Sequence, residues 1–422
     1  MTSSTRVDDG VERAFVWVWL PGSTEPVVAG VVEYDRGVGW FTYGRSYLAR
    51  DDAIALYGLG LVPGRQRDKA GGPIPACLTD SMPDSWGQRI ILRRRLGTVD
   101  TTIDHDVLSP VTYMLESGSD RVGAIDFQAT PEEWVPRTTT ATLEELVTAA
   151  ARIDAGLALP EALDAAIRHG TSIGGARPKV TIDDDGRGHI AKLSSSTDIY
   201  PVVQAEALAM DLAATVGLDV APSQLIECAG RDVLLVERFD RTDLPGERRM
   251  VTSAMTVLDL WEMTARHGTY YDLADRVRAR FGSPKSTLRE LFARIVFNVL
   301  VGNHDDHARN HAAFWDGTEL SLTPAYDLCP QVRSVGEVHQ ALAFAPGVSR
   351  SQLVALVDAA AIYQLNGRDA RQLIDDQVEA IATNWDAAAT QARLSDSDRN
   401  QMWGRQFLHP YAFQDYGPNP AA

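Results

Sequence analysis

The feature that most constrains this chain is an apolar helical stripe that runs into a cluster of polar side chains. Leu288, Leu291, Phe292, Ile295, Val296, Val299 and Leu300 recur at i, i+3, i+4 and i+7, so one wide face of a helix must be buried. Thr287, with Glu290 three residues later, reads as a capping box at its start. Gly302 can stop it, because glycine accepts the left-handed conformation of a helix C-cap. Asn303-His304-Asp305-Asp306-His307-Ala308-Arg309-Asn310 follow at once, with Tyr326-Asp327 further on. A rigid element thus ends where a dense set of acids, amides and imidazoles begins.

With 422 residues the chain can bury two or three cores. Its net charge of −17 argues against broad binding to nucleic acid. Arg89, Arg93, Arg94 and Arg95 form a local basic cluster that reads as a solvated helix face. Cys77, Cys228 and Cys329 are too scattered for a disulfide framework and fit a reducing compartment. No apolar run is long enough to cross a bilayer, and the first residues lack the apolar core of a signal peptide. The expected location is the cytoplasm, with no membrane partner.

Residues 15–48 are β-rich, with runs at Phe15–Trp19, Val27–Val32 and Trp40–Tyr43. Pro131 and Pro136 suggest a boundary near 130–140. Thr142 with Glu145 predicts a capped helix. Lys179–Ile182 and His189–Leu193 around Asp185-Gly186 predict a hairpin, and residues 203–217 a helix carrying Glu206. Leu234–Phe239 reads as a strand and its exit. Beyond residue 350 the pattern is that of a helical bundle, and Gly417-Pro418-Asn419-Pro420 that of a frayed tail. β-rich sequence is therefore concentrated before about residue 240 and helical sequence after it, an arrangement that can grip a ligand between two halves.

Three groups carry chemistry. Ser172-Ile173-Gly174-Gly175-Ala176-Arg177-Pro178-Lys179 is a small, glycine-containing loop ending in cations; its backbone amides can approach phosphate oxygens, although adjacent glycines more often mark a tight turn. Lys192 lies between Ala191 and Leu193 on a predicted strand and needs a partner if it faces inward, for which Glu206 is the candidate. Asp305 is the candidate catalytic carboxylate, with Asp306 a rival on sequence logic alone. Asn310 and Asp327 offer an amide and a carboxylate suited to magnesium, though both types also serve caps and turns. An alternative set, His304, His307 and His311 with the two acids, suggests a metal-dependent phosphohydrolase. Gly170–Gly174 spells a hydrolase elbow and Gly186–Ala191 a loose dinucleotide fingerprint, but neither sits in the required strand and helix context.

Taken in order, Ser-Ile-Gly-Gly-Ala-Arg-Pro-Lys at 172–179, Ala-Lys-Leu at 191–193, Val-Glu-Arg-Phe-Asp-Arg at 236–241, Gly-Asn-His-Asp-Asp-His-Ala-Arg-Asn at 302–310 and Pro-Ala-Tyr-Asp-Leu at 324–328 resemble the HipA-like serine/threonine kinases, toxins of type II toxin–antitoxin pairs. Met82-Pro83-Asp84-Ser85-Trp86-Gly87 resembles the N-terminal subdomain of that family.

The resemblance implies an α+β, two-lobed protein-kinase-like fold: a β-rich N-terminal lobe with an additional N-terminal subdomain, and an all-helical C-terminal lobe. The implied divisions are 1–135, 136–240 and 241–422. It implies ATP and Mg2+ between the lobes, Asp305 as base, and Asn310 and Asp327 as magnesium ligands. ATP contacts are implied for Gly174, Gly175, Ala176, Arg177, Pro178, Lys179, Lys192, Glu237, Arg238, Phe239, His307, Ala308, Arg309, Asn310, Tyr326 and Asp327, with Glu206 pairing Lys192. Ser172 corresponds to an inactivating autophosphorylation site. Further implications are a protein substrate of the aminoacyl-tRNA synthetase type and a small helix-turn-helix antitoxin through which alone DNA is reached. A small-molecule kinase and a catalytically dead binding module are the remaining alternatives.

Overall fold

The computed structural model describes residues 11–97, 105–138, 141–167, 177–184, 187–195, 198–332 and 336–421. Its first sheet is formed by β1 (Glu12–Val18), β2 (Val27–Asp35), β3 (Val38–Tyr43), β4 (Arg65–Gln66) and β5 (Ile125–Gln128), in the order β4-β3-β2-β1-β5. Period-2 alternation builds its core: Ala14, Val16 and Val18 point to one face and pack with Val32, Phe41, Tyr43 and Phe127.

The second sheet comprises β6 (Lys179–Asp184), β7 (Arg187–Leu193), β8 (Ser223–Cys228) and β9 (Arg231–Glu237), in the order β6-β7-β9-β8. The expected hairpin forms, with Val180 opposite Ala191 and Lys179 opposite Lys192. Directly opposed residues share a face. Val180 and Ala191 therefore enter one core together, beside Trp86, Leu146 and Leu235, and the two lysines emerge together on the other side. The Leu143–Asp154 helix covers the apolar face, and its capping box is made: Glu145 N–H donates to Thr142 Oγ1 at 3.2 Å and Thr142 N–H to Glu145 Oε2 at 2.9 Å. The Val202–Thr215 helix brings Glu206 to the lysine side.

The second half is not all-helical. β10 (Val251–Ser253), β11 (Ala312–Trp315) and β12 (Leu320–Leu322) form a third sheet, in the order β10-β11-β12. Asp316 Oδ1 turns the chain between the last two by accepting from the amides of Thr318 and Glu319, at 2.7 and 2.8 Å. The pairing lets Val251, Ala312 and Phe314 bury one another.

The Pro284–Val301 helix runs through the largest core and is buried nearly all round. It begins a turn earlier than the Thr287 capping box suggests. Pro284 occupies the first turn, where its fixed φ and missing N–H are harmless; Thr287 is buried inside the helix, and Glu290 pairs with Arg294 at 2.8 Å. Gly302 ends it with φ +70, and an added Cβ would lie 2.6 Å from the Gln406 carbonyl oxygen. The Gly367–Gln391 helix packs alongside, Gln377 Nε2 donating to Ala293 O at 3.0 Å. The C-terminal segment is pinned rather than frayed, because Asn419 Nδ2 donates to Leu408 O at 2.8 Å. Among the described residues no helix is long and apolar enough to cross a membrane.

Candidate active site

The loop after Gly302 is organised by one buried carboxylate. Asp306 Oδ2 accepts from Asn298 Nδ2 at 2.7 Å, from His311 Nε2 at 2.8 Å and from the Tyr270 hydroxyl. Asn303 Nδ2 in turn donates to Asn298 Oδ1 at 2.9 Å. Asp306 is 2% exposed, whereas Asp305 is exposed. The two neighbouring acids, equivalent on sequence logic, are thus separated by burial: one is consumed in bracing, the other faces solvent. Burial in contact with Asp306 pushes the Tyr270 hydroxyl far up, so it stays a donor.

The short turn that follows is held by Asn310 N–H donating to His307 O at 2.9 Å and Met255 N–H to Ala308 O at 3.1 Å. His307 is exposed, Ala308 and Asn310 are buried, and Arg309 pairs with Glu262. Tyr326 OH donates to Arg309 O at 2.7 Å, which sets Asp327 beside this turn. Asp327 adopts φ +59, a conformation that Asp tolerates better than most side chains.

Lys192 closes the cluster from the β-sheet side. Its Nζ contacts Glu206 Oε1 and lies 2.5 Å from Asp327 Oδ1. Burial opposes a charge on either group, but Lys192 and Lys179 hold Asp327 well below the ordinary carboxylate range, and Asp327 with Glu206 holds Lys192 above its usual value. Both are therefore ionised. Burial lowers Lys179, while the nearby carboxylates of Asp84 and Asp327 oppose that effect.

Glu237, Arg238 and Phe239 lead out of β9. The Phe239 ring lies 5.6 Å from Tyr326 and 5.8 Å from Phe314, centroid to centroid. The Arg238 side chain turns away from this cluster, into buried contacts with Asp120 and Asp240. Arg177 pairs with Asp198, and Pro178 O accepts from Leu193 N–H at 3.0 Å. Ser172, Gly174, Gly175 and Ala176 lie outside the described residues. The histidine set is not assembled: His311 is buried against Asp306 while His307 is exposed, and among the described residues no group of three or more His, Cys, Asp or Glu could hold a metal ion.

Sequence reasoning missed the share of this site contributed from before residue 130. Asp84 caps the Ser85–Leu96 helix by accepting from Gly87 N–H at 2.8 Å, and its Oδ2 is buried without a hydrogen-bond partner among the described residues. Burial pushes its carboxyl up to about 7, against the pull of Lys179 and Arg309. The residue-level signal was an Asp before a helix, which any N-cap supplies; the Met82–Gly87 resemblance contains Asp84 but gave it no role. The arginines read as a solvated face are also committed, Arg94 and Arg95 both to Glu116.

Two outcomes follow from this geometry. Asp306→Asn puts a second amide against Asn298 and removes the charge three donors point at, so urea unfolding should show a loss of roughly 3 kcal/mol, while exposed Asp305→Asn should change stability by about 0.5 kcal/mol or less. Asp84 has a raised carboxyl, so the folded chain holds that proton more tightly than the unfolded one and loses stability as pH climbs from the ordinary carboxylate range through 7. Asp84→Asn keeps an acceptor for the Gly87 amide. Thermal melts should therefore show it gaining on the wild type at pH 8 relative to pH 5; a gap independent of pH would contradict this.

The HipA-like C-terminal domain model matches residues 171–385, just over half of the chain. The serine/threonine-protein kinase toxin HipA of Shewanella oneidensis is 26% identical over 183 residues, covering 37% of this chain and 42% of that protein. The Y4mE protein of Sinorhizobium fredii is 33% identical over 134 residues, covering 30% of this chain and 32% of its own length. The matches thus span less than half of either relative. A chain of the solved Shewanella oneidensis HipA, HipB and operator DNA complex superposes with a TM-score of 0.68 over 92% of this chain and 93% of that one, at 18% identity, so the two-lobed kinase-like fold is shared. The matched domain takes in every cleft residue from Arg177 to Asp327, and the chain belongs to the HipA-like family.

Proposed function

We propose that this chain is an ATP-dependent serine/threonine protein kinase and the toxin of a toxin–antitoxin pair, acting in the cytoplasm. Growth is restrained by phosphorylation of a translation component such as an aminoacyl-tRNA synthetase. The observations that support this reading are Lys192, held ionised between Glu206 and Asp327, and an exposed Asp305 on a loop braced from behind by Asp306. Phosphoryl transfer asks a protein mainly for positioning and charge stabilisation, and this cluster offers both.

In the proposed reaction the Asp305 carboxylate takes the proton of a substrate hydroxyl as the hydroxyl oxygen bonds to the γ-phosphorus. The bond from that phosphorus to its bridging oxygen breaks, and ADP departs. Lys179 and Lys192, opposed across the hairpin, supply positive charge to the phosphates, together with Arg177 and the backbone around Gly174, Gly175, Ala176 and Pro178. The oxygen donors of Asn310 and Asp327, on segments tied by the hydrogen bond from Tyr326 to the Arg309 carbonyl, are of the kind that suits magnesium, which would screen the triphosphate charge. Adenine is proposed against Glu237, Arg238 and Phe239, with His307, Ala308, Arg309 and Tyr326 completing the pocket.

The proposed divisions are 1–135, 136–240 and 241–422, although Trp86 from the first packs in the core of the second. Phosphate on Ser172 adds about −1.5 to −2 charges and is proposed to draw the glycine loop off the nucleotide site. A small helix-turn-helix antitoxin is the proposed partner and the route to DNA, in keeping with the acidity of this chain.

Intact-mass spectrometry tests the reading. Incubated with Mg2+ and ATP, the wild-type chain gains one phosphate that maps to Ser172, and Asp305→Asn gains none. A chain verified as unphosphorylated that gains nothing contradicts autophosphorylation, and transfer to a metabolite alone favours a small-molecule kinase.

A further inference from the structure

The segment that leaves β9 is clamped by a loop from much earlier in the chain. Asp120 Oδ1 accepts from Arg238 Nη1 at 2.6 Å and from Arg241 Nη2 at 2.8 Å. Asp240 takes the same two guanidiniums from the other side: Arg238 Nε at 3.0 Å and Nη2 at 2.8 Å, and Arg241 Nη1 at 3.0 Å. The Arg121 carbonyl accepts from the Nη2 of both arginines, at 2.5 Å from Arg238 and 2.9 Å from Arg241, and Gly123 N–H donates to Asp240 Oδ2 at 2.6 Å. Gly123 has φ +77, which strains any side chain, and an added Cβ would sit a tight 3.1 Å from the Val251 amide nitrogen. Arg238 and Asp240 are 4% and 3% exposed. Arg241 and Asp120 are partly exposed, and Arg248 also lies near Asp120, so three guanidiniums face the two carboxylates, with the forked donors of Arg238 and Arg241 nearly all satisfied.

We propose that Asp120 is a positioning residue for the adenine nucleotide: it neutralises Arg238 and Arg241 and so fixes the backbone of residues 237–239 against which the base lies. This rests on reading the cleft as an ATP site. Asp120 acts through Arg238, which stands between Glu237 and Phe239 in the chain. Without the Asp120 charge, Arg238 and Arg241, with Arg248 nearby, are left with one carboxylate in a low-dielectric setting, where like charges repel strongly, and Arg238 Nη1 loses its charged acceptor. The segment must shift, and Phe239 shifts with it against Phe314 and Tyr326. The phosphate side is anchored separately, through Lys192, Glu206 and Asp327. Loss of Asp120 therefore weakens recognition of the base and leaves recognition of the polyphosphate intact.

Isothermal titration of the full chain with Mg2+ and either a non-hydrolysable ATP analogue or inorganic tripolyphosphate separates the two. The wild type binds the analogue more tightly than tripolyphosphate; a wild type that binds no nucleotide removes the ATP reading itself, whatever Asp120 does. Asp120→Asn keeps an acceptor but removes the charge, and lowers affinity for the analogue about tenfold, the scale of turning a charge-assisted hydrogen bond into a neutral one, with tripolyphosphate unchanged. An unchanged analogue affinity, or equal loss of both ligands, overturns the proposal. Arg241→Gln, at the more exposed end of the network, is the second variant should the first fail to fold. It removes a guanidinium shared by Asp120 and Asp240 and lowers the ratio of the two affinities about threefold; an unchanged ratio in this folded variant overturns the proposal equally.

Discussion

The buried carboxylate of Asp306 is the interaction on which the loop after Gly302 depends. A carboxylate this deep is tolerable only because hydrogen-bond donors converge on it, and those donors come from three places: Asn298 on the Pro284–Val301 helix, Tyr270 on the Tyr270–Arg280 helix, and His311 at the edge of β11. The loop has few shapes in which that charge stays satisfied. The one it adopts leaves Asp305 facing solvent and Asn310 buried, with Tyr326 hydrogen-bonded to the neighbouring Arg309 carbonyl. Gly302 makes the shape accessible, since the backbone there is left-handed and too close to Gln406 for any side chain.

The N-terminal region is a structural wall of the same site. Asp80 accepts from Ser253 N–H at 2.8 Å and Ser253 Oγ at 2.7 Å, fastening the segment before Asp84 to β10. Arg121, fully buried, pairs with Asp126 at 2.8 Å and reaches Ser81 O at 3.1 Å. Trp86 then enters the core beneath β6, β7 and β9. Hydrogen-bonded ion pairs at this depth are weak evidence for stability; here they fix which loop lies against which, and hence where Asp84, Asp120 and Arg238 sit.

What the sequence made legible was local. The Thr142 cap, the β6–β7 hairpin and the stop at Gly302 are decided by residues a few positions apart. The start of the long helix was less legible, because proline in the first turn outweighs a capping pattern one turn later. β10, β11 and β12 are only three or four residues long, too short for a period to show. The Asp120–Arg238 and Asn419–Leu408 contacts join residues whose partnership no spacing encodes. The choice between Asp305 and Asp306 likewise needs burial, a property of the packed chain alone. The family pattern carried the order of the proposed site residues; the structure shows which of the two acids is buried and which is exposed.

The most direct test of this account is a crystal structure of the full chain with Mg2+ and a non-hydrolysable ATP analogue. The account predicts the triphosphate on Lys179 and Lys192, the metal between Asn310 and Asp327, the base against residues 237–239, and Asp305 nearest the open end of the γ-phosphate. Nucleotide bound elsewhere, or a metal held by His304 and His307, would contradict it.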